Sequence, residues 1–87
     1  MEDLKAQFEK AAEDIKQKGK DLKLSNDEQL NLYKYFKQVT VGDVNTKEPG
    51  FISMPADKAK WKAWNSVKGT SKDEAMTKYI EIVRKYI

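Results

Sequence analysis

Leu4, Phe8, Ala11 and Ile15 recur three or four residues apart, which lays them in one narrow stripe along a helix. The spacing predicts a first helix over residues 3–18, ended by Lys18-Gly19-Lys20 and followed by a polar connection through Leu24. Ser25-Asn26-Asp27-Glu28 has the form of a capping box, in which serine and glutamate satisfy each other's free backbone N–H groups. A second helix is therefore expected from there to about Val39. Between Thr40 and Pro55 the helical period is lost, and Gly42, Pro49-Gly50 and Pro55 punctuate a long loop. Loops of that length inside a compact domain are uncommon, and are often functional or packed by their own side chains. A third helix is expected to open at Pro55 or Ala56, proline being well tolerated in a first turn, and to stop near Lys68-Gly69. A second capping box, Ser71-Lys72-Asp73-Glu74, opens a fourth helix with Ala75, Met76, Tyr79, Ile80, Val83 and Ile87 on one broad face. No segment alternates at period two for long enough to form a strand, and no repeat is visible. The reading is all-α, one domain over residues 1–87, with four helices.

Two positions break this pattern. On the second helix the apolar arc runs through Tyr35, Val39, Leu32, Phe36, Tyr33 and Leu30, and Lys37 falls inside it, although Asp27, Asn31, Lys34 and Gln38 mark out a polar face. On the third helix the arc runs through Ala63, Val67, Trp64 and Trp61, and Lys60 falls inside it. Two accounts fit. The lysines can snorkel at the edge of the core, with stems packed and heads in water. Alternatively their ammonium groups converge on a bound phosphate as point charges, with neighbouring rings offering a stacking surface for a heterocycle. The pattern alone leaves both open.

Composition narrows the chemistry. The chain has neither cysteine nor histidine, so disulfides, thiolate metal sites and a neutral-pH proton shuttle of the usual kind are excluded. Asp57, Glu13 and Asp14 are conceivable acid–base groups, but none has a partner nucleophile or a reason for a raised pKa, and no catalytic or metal site is expected. Gly42 and Gly50 form neither a P-loop nor a dinucleotide fingerprint. The net charge of +3 is unevenly spread: residues 1–33 balance at −2, residues 34–72 at +5 and residues 73–87 at zero. An anionic partner would be drawn to the middle third. Arg84 is the single arginine among sixteen lysines, which weighs against base-edge reading of DNA. Met1-Glu2-Asp3 does not begin a signal peptide, and no apolar run approaches the roughly 20 residues that span a bilayer, so a cytoplasmic protein is the expectation.

The stretch from Tyr33-Lys34-Tyr35-Phe36-Lys37-Gln38-Val39-Thr40 through Val41-Gly42-Asp43 resembles the Y-x-x-Y-K-Q-A-T-x-G-D signature of the acyl-CoA-binding protein (diazepam-binding inhibitor) family. Asn45 and Pro49-Gly50 continue it. Lys58-Ala59-Lys60-Trp61-Lys62-Ala63-Trp64-Asn65 is similar to the family's K-x-K-W-x-A-W block, and Lys68-Gly69-Thr70-Ser71, Ala75-Met76 and Tyr79-Ile80 extend the likeness over nearly the whole chain. The resemblance implies an up-down four-helix bundle with a long connection between helices two and three. It implies a non-catalytic carrier that binds, buffers and delivers medium- and long-chain acyl-CoA esters. At matching positions Tyr33, Lys37, Lys60 and Tyr79 would form the polar grip, with Lys37 and Lys60 on the ribose 3′-phosphate and the ring of Phe36 near the adenine. Lys16 would lie beside the ligand, Lys34, Tyr35 and Lys58 would add contacts from the same blocks, and Ala12, Leu30 and Ala59 would line the acyl groove.

Three departures accompany the likeness. Phe36 stands where the family usually has tyrosine. The connection from Gln17 to Leu24 is longer than usual and lacks a proline, and Ser53-Met54-Pro55-Ala56 carries a one-residue insertion without the family's basic residue. The implied partners are fatty acyl-CoA esters held by a monomer without a cofactor, with transient contacts to membranes or lipid-metabolising enzymes and no nucleic acid. The rival readings are a small basic helical nucleic-acid-binding domain and a helical protein-interaction module.

Overall fold

The computed structural model describes residues 3–50 and 54–86, which form four helices: α1 Leu4–Leu22, α2 Asn26–Thr40, α3 Pro55–Ser66 and α4 Lys72–Tyr86. Each start has a local cause. The Asp3 carboxylate accepts from the Ala6 N–H at 2.7 Å and caps α1. At α2 both arms of the capping box form: the Glu28 N–H donates to Ser25 Oγ and the Ser25 N–H donates to Glu28 Oε1, each at 3.2 Å. Pro55 occupies the first turn of α3, and the Glu74 N–H donates to Ser71 Oγ at 3.1 Å at the start of α4.

α1 runs past Lys18-Gly19-Lys20, so most of the expected polar connection is helix. A mid-helix glycine costs about 1 kcal/mol relative to alanine. Leu22 is half-buried and continues the stripe seven residues after Ile15. The helix stops at Lys23, which takes the left-handed conformation (φ 49°) and turns the chain so that Leu24 packs against the core. α3 is shorter than expected; after Ser66 its last turn tightens, with the Val67 N–H donating to the Trp64 carbonyl and the Lys68 N–H to that of Asn65.

The core joins Phe8 and Ala11 of α1, Leu32 and Val39 of α2, and Ala75, Met76, Tyr79, Ile80 and Val83 of α4. Five of the six residues expected on the apolar face of α4 are thus buried; Ile87 lies outside the described residues. α4 packs on both α1 and α2, whereas α3 packs on α2. Among the described residues the α1 and α2 backbones stay apart, and the two helices meet through side chains such as the rings of Phe8 and Phe36, 5.9 Å apart. That gap, floored by α4, becomes one of two grooves flanking α2. No described helix is long and apolar enough to cross a membrane.

Gln38 sits differently from the polar-face expectation. It is 3% exposed, and its Nε2 donates to Asp43 Oδ1 at 2.7 Å and to the Thr70 carbonyl at 2.9 Å. The Gly69 N–H also donates to Asp43 Oδ1, at 2.8 Å. This backbone contact first, and the Gln38 amide second, hold the Asp43 carboxyl below its ordinary value. Gly42 (φ 105°) and Gly69 (φ 90°) supply the left-handed turns that bring these partners together. The two tryptophans of α3 pin the same loop, Trp64 Nε1 donating to the Gly42 carbonyl at 2.9 Å and Trp61 Nε1 to that of Thr46 at 3.0 Å. The expected long loop is therefore tied to α2, α3 and the turn before α4. The segment Ser53-Met54-Pro55-Ala56 lies partly outside the described residues.

Candidate functional site

α2 forms a ridge between two grooves. The first, about 620 Å³, lies between α1 and α2; Phe8, Ala12, Leu32 and Phe36 line it, with Tyr79 from α4. The second, about 650 Å³, lies between α2 and α3; Leu30, Pro55, Ala56, Ala59 and Lys60 line it. Gln29 and Tyr33, one helical turn apart, face both.

The Tyr33 end of the ridge is cationic. Lys37 Nζ lies 6.0 Å from the centroid of the Tyr33 ring and 5.4 Å from that of Trp64, and Lys60 Nζ lies 5.7 Å from the Tyr33 centroid. The two pattern-breaking lysines, from different helices, thus converge on one ring. Among the described residues neither forms an ion pair with a carboxylate. Two unneutralised ammonium groups beside one aromatic face favour a multiply charged anion, which would relieve their mutual repulsion. The outer wall on α1 is mixed, with Glu9 and Glu13 beside Lys16, so the cationic pole lies toward α3.

Phe8, Phe36 and Tyr79 form a three-ring floor from three helices, with centroid separations of 5.0–6.0 Å. Such spacing suits aromatic contact. Phe36 is 39% exposed and offers a ring to anything entering the groove. Tyr79 is 4% exposed, and burial pushes its hydroxyl pKa up to about 12, so the group stays protonated and able to donate.

The residues expected at the site divide as follows. Lys16, Ala12, Tyr33, Phe36 and Tyr79 share the α1–α2 groove. Leu30, Ala59, Lys60 and again Tyr33 share the α2–α3 groove, so Ala12 lies across the ridge from the other two residues expected to line the acyl groove. Lys37 stands over Tyr33. Lys34, Tyr35 and Lys58 line neither groove: Lys34 Nζ sits 5.2 Å from the Tyr35 ring, Tyr35 packs against the core, and Lys58 is half-buried. Sequence reasoning missed Gln29, whose polar character fitted an exposed face, and Phe8, which read as ordinary core.

An acyl-CoA-binding protein family model matches residues 5–83. The chain belongs to the acyl-CoA-binding protein family. It is 47% identical over 81 residues to acyl-CoA-binding domain-containing protein 3 of Oryza sativa, covering 93% of this chain and spanning about half (50%) of that relative. It is 49% identical over 75 residues to the acyl-CoA-binding protein of Dictyostelium discoideum, covering 86% of each. The crystal structure of acyl-CoA-binding protein 2 from Oryza sativa superimposes with a TM-score of 0.83 at 43% identity, covering 97% of this chain and 90% of that one. In this family member, then, the cationic pole and the two grooves lie around a single helix.

Proposed function

We propose that this protein is a non-catalytic carrier and buffer of medium- to long-chain acyl-CoA esters, acting as a monomer in the cytoplasm. The observation that carries the reading is the convergence of Lys37 and Lys60 on the Tyr33 ring, at the crest between two largely apolar grooves. The ribose 3′-phosphate sits at the lysine pair, the adenine enters the α1–α2 groove over Phe36, and the acyl chain lies in the α2–α3 groove against Leu30 and Ala59. Phe36 lacks a hydroxyl, so it contributes stacking alone. Tyr79, held protonated by burial, serves as a hydrogen-bond donor at the floor.

A sixteen-carbon chain offers on the order of 10 kcal/mol of burial at about 0.8 per CH₂, before association costs. Burial of the tail thus supplies most of the affinity, and the lysines select CoA esters over free fatty acids. Calorimetry with palmitoyl-CoA, free CoA and palmitate separates the two roles. Tight binding of palmitoyl-CoA alone is expected; comparable affinity for all three would overturn the reading.

A further inference from the structure

We infer that Gln29 sets the acyl-chain length this protein prefers, by placing a polar barrier on the crest between the two grooves. The inference rests on the reading of the site given above and adds a specificity-determining residue to it. Gln29 and Tyr33 are the residues that line both grooves. Tyr33 belongs to the cationic end of the crest, where the phosphate is held. Gln29 lies one turn nearer the N-terminus of α2, farther along the path of a chain that leaves the lysines through the α2–α3 groove. Its side chain is held in place: Nε2 donates to the Leu24 carbonyl at 2.9 Å, tying the amide to the connection between α1 and α2.

A chain that fills the α2–α3 groove can lengthen across the crest toward the apolar part of the α1–α2 groove lined by Ala12, Ile15 and Leu32, apart from the Phe36 ring assigned to the adenine, or outward into water. Crossing buries the Gln29 amide under methylenes that offer it no hydrogen bond, which is unfavourable. Lengthening outward buries nothing. Each fully buried methylene raises affinity about fourfold, so a route across the crest would favour long chains steeply. The amide blocks that route, and affinity levels off once the α2–α3 groove is full.

The test compares lauroyl-, palmitoyl- and arachidoyl-CoA by calorimetry on the wild type, on Gln29→Leu and on Gln29→Met, with thermal melts to verify folding. In the wild type, lengthening from palmitoyl to arachidoyl should change affinity less than about threefold. In both variants the same step should raise affinity at least about tenfold. Lauroyl-CoA should bind wild type and variants within about threefold of one another. If the wild type binds acyl-CoA and both folded variants keep its length profile, the role of Gln29 is overturned while the carrier reading stands. If the wild type binds none of the three, both fall together.

Discussion

Replacing Lys60 with alanine isolates the role assigned to the lysine pair. Lys60 is exposed, and its contact within the described chain is the Tyr33 ring at 5.7 Å. At an exposed site such an interaction contributes about 0.5–1 kcal/mol, so Lys60→Ala should lower stability by no more than about 1 kcal/mol. A charge-assisted hydrogen bond to phosphate is worth about 1.5–3 kcal/mol, so the same variant should weaken palmitoyl-CoA binding roughly ten- to a hundred-fold. The assay is a double cycle by calorimetry: wild type and Lys60→Ala, each titrated with palmitoyl-CoA and with its 3′-dephospho analogue. Removing the phosphate removes the partner, so the effect of Lys60→Ala should shrink to within about threefold for the analogue. An equal loss with both ligands would refute a phosphate contact. Intact binding together with a large loss of stability would show that Lys60 is a packing residue whose head simply reaches water.

Phe36→Ala should cost about 1–3 kcal/mol of palmitoyl-CoA affinity through lost stacking, and should lower the melting temperature as well because the ring also packs on Phe8 and Tyr79; unchanged affinity in the folded variant would remove Phe36 from the site. Lys23→Gly should stabilise the fold by about 1 kcal/mol in urea titrations, since glycine adopts the left-handed turn without the penalty an L-residue meets; a destabilised variant would refute that account of the α1 terminus. The Glu28 carboxyl is held below its ordinary value of 4.5 first by the Tyr86 hydroxyl and then by Ser25. Its folded pKa is depressed, so its contribution to stability is present above pH 4.5 and is lost as the pH falls through the folded value. Urea midpoints of the wild type and Glu28→Gln should therefore converge on acidification below pH 4.5; a constant separation would refute the linkage.

The helices were legible because their signals are local. Ser25 and Glu28 cap α2 through contacts three residues apart, and the apolar period of α4 predicted Ala75, Met76, Tyr79, Ile80 and Val83 as core. The end of α1 is not legible locally, because Gly19 is a local breaker while Leu22 and Leu24 act through burial, partly across the bundle. The burial of Gln38 is hidden for a similar reason. Its partners Asp43 and Thr70 lie in a loop and a turn, and a buried glutamine reads as a surface one until they are brought near.

At the site, the positions of Lys37 and Lys60 inside apolar arcs were visible, but their convergence depends on α3 packing against α2. The division into two grooves was invisible altogether. It arises because the α1 and α2 backbones stay apart, both resting on α4, and meet through side chains such as Phe8 and Phe36. That arrangement puts Ala12 on one side of the ridge and Leu30 and Ala59 on the other. It also gives Gln29, unremarkable in sequence, a position facing both grooves.

The most direct test of the carrier reading is a native mass spectrum of the purified protein mixed with equimolar palmitoyl-CoA. The predicted result is a dominant complex of one chain with one intact palmitoyl-CoA. A spectrum showing the ligand-free chain alone, or the thioester hydrolysed, would contradict it.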